Sequence, residues 1–567
     1  MGPFPLSSAQ SHIPLGEYIF KRIESLDVKS VFGVPGDFNL SLLEHLYSTK
    51  LKWYGGCNEL NAGYSADGYA RASHKFGVLV TTYGVGSLSS LNACCGAWSE
   101  FVPLLHIVGT TSTEQKSSGE LTHHVAPGRL ISSKSDHHIY ETMVERLACK
   151  IESLNSVDDA PEKIDFLIKE IMETKRPGYL FLPCNLVNIP VSPLRLKDLD
   201  LYKPMEIRPI EYCDQLASLV LSKIYSSSAP CMLVDILTDR FKLTNEVRTL
   251  VRKTNIPNLS TFMGKSVLDE TEISYIGDYN GDASNKEVQQ FVQTCDLVLH
   301  IGAFYNEINS GKHTLYNGIH PDSLIIMNHE NIIIGSTSFD VSFVHILPKI
   351  VSNFNPSKLP QFTIPRLEHD IEINPSKTAI TQSQLMSSLQ NFIQPQDTIV
   401  VDTCSVMFGL PDLRFPKDVK LIGQHFYLSI GMALPCSFGV AIANREMGIG
   451  SRVILLEGDG SAQMTIQELS AFIRHGLSPL ILLLNNHGYT VERAIKGADR
   501  SYNDIMPDWK WTKLLNTFGG GLCSSSVRVD QAEALDQELA SYQGGLKLIE
   551  IELAKLDTPW RFYFMCG

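Results

Sequence analysis

The feature that most constrains this chain is a rhythm. Short, almost unbroken apolar runs, each ending in Gly, Asp or Asn, alternate with stretches of helical periodicity. VKSVFGVPG, GVLVTTYG, PLLHIVGT and PGYLFLPCN occupy the first third; APCMLVDIL, CDLVLHIGA and DSLIIMNHE the middle; TIVVDT, SRVILLEGDG and PLILLLNN the last. A strand in a sheet covered on both faces has no polar side, so its sequence is continuously apolar rather than alternating. Parallel neighbours need crossover connections, which helices supply. The expected fold class is α/β, built from doubly wound open sheets. A length of 567 residues exceeds one such sheet. Pro-rich stretches at 188–204 and 355–377 interrupt the rhythm and set three expected domains at 12–190, 205–355 and 375–567.

Composition excludes several kinds of partner. The 48 Lys and Arg against 61 Asp and Glu leave a net charge of −13. That sign opposes binding to nucleic acid or an anionic membrane. No apolar stretch reaches about 18 residues, the length a membrane-crossing helix needs. The opening MGPFPLSSAQSHIPLG lacks the basic-then-apolar pattern of a secretory leader. The 12 cysteines include no CxxC pair, so reduced thiols in a cytoplasmic protein are expected rather than a zinc site or disulfide scaffold.

The most informative segment lies in the third block. Gly458-Asp459-Gly460-Ser461 directly follows the run SRVILLE. A helical stretch with Ile466, Leu469, Phe472 and Ile473 on one stripe comes next, and then LILLL ending at Asn485-Asn486-His487-Gly488-Tyr489. This is one β-α-β unit with a polar cluster at the carboxyl end of each strand, where open α/β sheets bind ligands. Asp459 and Asn486 can therefore converge. A carboxylate, an amide oxygen and a backbone carbonyl are hard ligands suited to Mg²⁺, which commonly completes its shell with phosphate oxygens.

GDG followed by NN at this spacing is similar to the motif of the thiamine diphosphate enzymes. NNHGYTVER resembles the form found in the pyruvate decarboxylase-like 2-oxo acid decarboxylases of yeasts and plants. Two segments of the first block extend the resemblance. Asn58-Glu59-Leu60-Asn61-Ala62 with Tyr64 through Arg71 is similar to the family pattern NELNAxYxADGYAR, and Phe32 through Phe38 to FGxPGDF. The similarity runs from about Gly16 to about Leu553.

The resemblance implies that the cofactors are thiamine diphosphate and Mg²⁺, and that the reaction releases an aldehyde and CO₂ from a 2-oxo acid through a thiamine ylide. It implies that Asp459, Asn486 and the carbonyl of Gly488 hold the metal. Gly458, Gly460, Ser461 and Tyr489 complete the diphosphate seat. Thiamine must lose its C2 proton, and Glu59 is the implied partner of the aminopyrimidine that promotes this loss. Asp37, the pair His123–His124 and Glu492 are the implied acid-base groups. The first and third domains would bind the pyrimidine and the diphosphate. A homodimer or homotetramer would carry its sites across the dimer interface.

Asp402 through Gly409 is similar to the family's ETGTSAFG, which puts Thr403 and Ser405 at the cofactor. Ile430 resembles the apolar wedge under the cofactor, and Leu428 stands where the family usually has Gly. The Leu428 carbonyl would still receive the aminopyrimidine. The implied substrate pocket comprises Ile308, Thr403, Met407 and Val491. Ile308 replaces an aromatic residue of pyruvate-specific members, and Met407 replaces a small Ala. A reshaped apolar pocket favours bulky or aromatic 2-oxo acids, such as phenylpyruvate and indolepyruvate, over pyruvate.

Leu237-Thr238 occupies the place of a cysteine pair tied to substrate activation, so activation through a thiol is not expected. The loop after His124 and the tail DTPWRFYFMCG also depart from the family. A second pair, His137–His138, has no implied role and reads as surface. The alternatives are a fermentative pyruvate decarboxylase, a catalytically weak thiamine diphosphate-sensing regulator, which would need only the cradle, and a carboligating enzyme, which would generally lack the His–His pair.

Overall fold

The computed structural model describes residues 12–202, 210–365, 379–505 and 509–566. Parts of both expected linkers, 203–204 and 366–377, lie outside these. The chain forms two compact units, residues 1–205 with 438–449, and residues 206–437 with 450–567.

The first unit begins with β1 (Ile13–Pro14) and contains a six-stranded sheet. Its strands are β2 (Ser30–Gly33), β3 (Lys52–Gly55), β4 (Gly77–Thr82), β5 (Leu104–Thr110), β6 (Ile151–Ser153) and β7 (Pro177–Pro183), in the spatial order β3-β2-β4-β5-β7-β6 and parallel throughout. β8 (Pro190–Val191) pairs antiparallel with β1. Every residue of β4, β5 and β7 is buried, as their continuous hydrophobicity requires. After β2 the chain adds β3 on one side, then returns to place β4 on the other. The order therefore reverses between β2 and β4, and a crevice opens at their carboxyl ends.

Residues 438–449 were expected in the third domain, yet they belong to the first unit. The end of helix Ala433–Met447 explains why. Phe438 packs edge-on against Phe32 and Tyr54, Glu446 accepts the hydroxyl of Tyr69 at 2.9 Å, and a Cβ on Gly439 would strike the carbonyl of Ser65 at 1.8 Å.

The second unit holds two sheets. One runs β11-β10-β9-β12-β13-β14-β15, from β9 (Pro230–Val234), β10 (Asn258–Ser260), β11 (Tyr275–Asp278), β12 (Leu297–Ile301), β13 (Leu324–Met327), β14 (Ile332–Ile334) and β15 (Thr337–Phe339). It is parallel as far as β13 and closes with an antiparallel β14–β15 hairpin that the apolar rhythm did not announce. The other is wholly parallel and runs β17-β16-β18-β19-β21-β20. Its strands are β16 (Thr398–Val401), β17 (Lys420–Gly423), β18 (Val453–Gly458), β19 (Leu480–Asn485), β20 (Ser524–Val529) and β21 (Leu546–Glu552). This order repeats that of the first sheet, with its reversal between β16 and β18. Three α/β sheets are thus present, and in two of them a topological crevice receives the motif residues.

Candidate active site

In the first unit the chain leaves β2 through Val34-Pro35-Gly36-Asp37. Asn39 holds that turn, its Oδ1 accepting the Gly36 amide at 2.9 Å. Asp37 and His123 pair directly, and His124 Nε2 stands 3.9 Å from the other Asp37 oxygen. The His123 ring stacks on Phe38 at 5.0 Å. His124 adopts a left-handed φ of 67°, and its carbonyl accepts the Tyr140 hydroxyl at 3.0 Å. Three of the four expected acid-base groups therefore meet at one point, exposed enough to exchange protons.

Glu59 opens helix Glu59–Ser73, which Asn58 caps by accepting the Asn61 amide at 2.8 Å. The helix is buried almost all round. Arg71 binds Asp67 at 2.5 Å and Glu100 at 3.0 Å, so the second half of the matched pattern anchors the helix rather than meeting a ligand. Glu59 is half-buried. A Cβ on Gly86 would stand 3.0 Å from its Oε1 and 3.2 Å from Thr82 Cγ2. Thr82, at the end of β4, also bounds Gly36, and its buried hydroxyl has no partner. It lies between the Asp37 turn and Glu59, a position that no sequence pattern singled out.

His137 corrects the expectation for the second histidine pair. It is 1% exposed; its Nδ1 accepts the Thr111 hydroxyl at 2.8 Å and its Nε2–H donates to the Glu120 carbonyl at 2.9 Å. It pins the loop after His124, and only His138 lies at the surface. A polar residue in a loop carries no periodic signal of burial, which is why the sequence concealed this role.

In the second unit the ends of β16, β18 and β19 carry the rest. Asp459 is 1% exposed, and its oxygens accept the Gly460 amide at 2.8 Å and the Gly488 amide at 3.0 Å. Burial pushes its carboxyl up to about 6 despite these bonds. Asn486 donates to Thr490 at 2.6 Å, while its buried Oδ1 has no partner. Gly488 has a φ of 141°, and a Cβ there would meet the Asn503 carbonyl at 2.1 Å. Gly460 is equally constrained, since a Cβ would lie 2.5 Å from the Tyr489 ring. Gly458 and Ser461 are buried beside them.

Arg493, which sequence reasoning left without a role, is fully buried and fixes this loop. It donates to the carbonyls of Asn486 at 2.9 Å and His487 at 2.5 Å, and to Asp504 at 2.7 Å. Glu492 is exposed in the first turn of the same helix, Thr490–Lys496. The terminal helix Trp560–Cys566 packs against that helix.

Thr403 is half-buried with an unpartnered hydroxyl, and Ser405 accepts Gln382 Nε2 at 2.6 Å. Ile430 is half-buried. Leu428 is half-buried with a φ of 59°, the left-handed conformation that Gly adopts without strain. Leu here keeps the backbone geometry of Gly and accepts the strain. Ile308, Val491, Leu428 and Phe304 pack on the core cluster that includes Met407, which is 2% exposed. Met407 therefore lies beneath that surface rather than on it.

Glu457 was also missed. It is fully buried; burial, and then the neighbouring Asp402, push its carboxyl well above the usual range. Its only sequence signal is a charge inside an apolar run.

Three family models match the chain. They are the thiamine pyrophosphate enzyme N-terminal binding domain over 13–132, the central domain over 218–351 and the C-terminal binding domain over 403–551. The transaminated amino acid decarboxylase of Saccharomyces cerevisiae is 40% identical, across 98% of this chain and 95% of that protein. Pyruvate decarboxylase isozyme 3 of the same yeast is 34% identical across 97% of each chain. The pyruvate decarboxylase of Aspergillus fumigatus is 33% identical across 96% of this chain and 95% of its own. The chain belongs to the thiamine diphosphate-dependent 2-oxo acid decarboxylases, and it is an enzyme of that class. The residues present fit the cofactor. Past the ends of β16 and β19 the oxygens of Thr403 and Asn486 are buried without partners, Asp459 is buried after β18, and glycines stand where any Cβ would collide.

Proposed function

We propose that this decarboxylase acts on 2-oxo acids with bulky apolar or aromatic side chains, the acids that transamination of amino acids produces, in preference to pyruvate. The observation that carries this reading is Ile308, half-buried on the loop after β12 and packed, like Val491, on the cluster that contains Met407. The relative named for transaminated amino acids supports it.

In this reading Asp459, the Asn486 amide oxygen and the Gly488 carbonyl hold Mg²⁺ and, through it, the diphosphate. Glu59 holds a proton at the aminopyrimidine. The bound cofactor supplies the electron sink for loss of CO₂. Asp37, His123 and His124 deliver and recover the proton at the reacting carbon, and Glu492 assists. Leu428 offers its carbonyl to the cofactor, and Ile430 supports it from below. The assembly is a homodimer or a homotetramer, and the protein works in the cytoplasm. Among the described residues no helix is long and apolar enough to cross a membrane.

The test is kcat/KM for phenylpyruvate against pyruvate, in the native enzyme and in Ile308→Phe. The reading expects phenylpyruvate to be preferred. It expects that preference to shrink about 5- to 150-fold in the variant, the effect of about 1–3 kcal/mol of overpacking on the larger substrate alone. Native preference for pyruvate would overturn it.

A further inference from the structure

The second unit encloses a cavity of about 380 Å³ lined by none of the residues given a role in the reaction. It is bounded by the end of β11, the start of helix Gln382–Phe392 and the approach to the terminal helix. Three carboxyl groups, Asp278, Asp412 and Asp557, line it against one cation, Arg561. That guanidinium is already engaged. It donates to the Ala283 and Phe408 carbonyls at 3.0 Å each and to Asp412 at 2.9 Å, so it has little to offer an anion.

The unsatisfied atoms of the lining residues are all oxygens. Asp278 Oδ1, Gln382 Oε1 and Thr558 Oγ1 are buried without partners, and Asp278 and Gln382 are only 8% and 1% exposed. The other Asp278 oxygen accepts Lys265 at 2.9 Å, and burial pushes this carboxyl up to about 7. Leaving such acceptors unpaired is costly, and a donor brought from outside would recover that cost. Met386, Pro411, Pro559 and the Trp560 indole supply an apolar remainder. The volume is at the lower end of small-molecule sites, which run from about 300 to 1,000 Å³.

We propose that this cavity binds a small organic ammonium compound with an apolar body, as an effector site distinct from the reaction crevice. Asp412 is paired with Arg561 and Asp278 with Lys265, so the unpaired acceptor atoms and the Asp557 carboxyl are what select a cationic donor; the Trp560 ring already carries the Arg561 guanidinium at 4.5 Å and adds apolar surface only. Two bonds link the cavity to the reaction site. Gln382 donates to Ser405 at 2.6 Å, and Arg561 to the Phe408 carbonyl. They grip both ends of the short turn Ser405–Phe408, which carries Met407. An occupant therefore acts on the wall of the pocket. Only this last consequence rests on the proposed function; the binding does not.

The test is calorimetric titration of the holoenzyme with 2-phenylethylammonium chloride, with sodium phenylacetate as the matched anion. The proposal expects saturable one-site binding of the amine and none of the anion. Affinity should fall at least tenfold in Asp278→Asn, which keeps the shape and removes the charge, and be abolished in Ser383→Met, which fills the cavity from its rim. Should Asp278→Asn fail to fold, Ser383→Met decides alone. Binding unaffected by these substitutions, equal binding of phenylacetate, or no saturable binding at millimolar amine would each overturn the proposal. Aldehyde release measured with and without the amine then reads the coupling separately.

Discussion

Replacing Leu428 by Gly sets three terms of similar size against one another. A left-handed φ of 59° at Leu costs about 1–2 kcal/mol, which Gly recovers. Gly in turn loses about 0.5–1 kcal/mol through the greater freedom of the unfolded chain. Removing a half-buried Leu side chain from the cluster it packs on costs about 1 kcal/mol, roughly half of full burial. The sum lies within about 1 kcal/mol of zero, so thermal unfolding of the apoprotein should shift by less than about 2 °C in a protein of this size. Cofactor affinity should stay within about threefold, because Gly holds the same carbonyl direction. Leu428→Val is the opposing control. A β-branched residue resists this φ, so both stability and cofactor affinity should fall, the latter at least about tenfold. Quenching of intrinsic fluorescence on titration with thiamine diphosphate and Mg²⁺ reads the affinity. If Leu428→Val binds as well as the native protein while Leu428→Gly does not, the Leu428 side chain rather than its backbone serves the cofactor, and the reasoning fails.

Three further outcomes follow from the same geometry. Gly460→Ala should weaken cofactor binding about 5- to 150-fold in the same titration, since its Cβ would lie 2.5 Å from Tyr489 and moving the ring costs about 1–3 kcal/mol. His106 is fully buried and burial holds its imidazole down at about 3, against an ordinary value of 6.5. Its folded value is depressed, so the unfolded chain binds the proton first and stability falls as pH drops from 6.5 toward 3. At pH 5 this loss is about 2 kcal/mol, and urea denaturation with hydrogen exchange of β5 should show it removed in His106→Gln. Mixing inactive Glu59→Gln with inactive Asp459→Asn under exchange conditions should restore about one-quarter of native activity if sites form across a dimer interface; no recovery would refute shared sites.

The sequence exposed those parts of the fold where burial leaves one kind of residue. β4, β5, β7, β18 and β19 are buried at every position, and each coincides with an apolar run. Edge strands such as β3, β6 and β20 have one side toward solvent, and their mixed composition hid them. The pattern of helix Ala433–Met447 reveals its helicity but not its partner, because Glu446 and Phe438 find theirs some four hundred residues earlier in the chain. The convergence of Asp459 with the loop that carries Asn486 and Gly488, the residues proposed to hold the metal, was legible because a strand end followed by Gly, Asp and Asn has a physical reason. The meeting of Asp37 with His123 and His124 was legible only through resemblance, since nothing local links the two segments. Thr82 and His137 escaped because their neighbours lie far along the chain, Arg493 because it grips backbone carbonyls of an irregular loop, and Glu457 because its burial leaves no pattern; periodicity encodes none of these.

The most direct test of the account is aldehyde release by the holoenzyme from phenylpyruvate, compared with Glu59→Gln under conditions where both bind thiamine diphosphate and Mg²⁺. The account predicts release from the native enzyme and a loss of at least about 100-fold in the variant, with cofactor binding largely kept. Release by Glu59→Gln within about tenfold of native, or bound cofactor without aldehyde in the native enzyme, would contradict it.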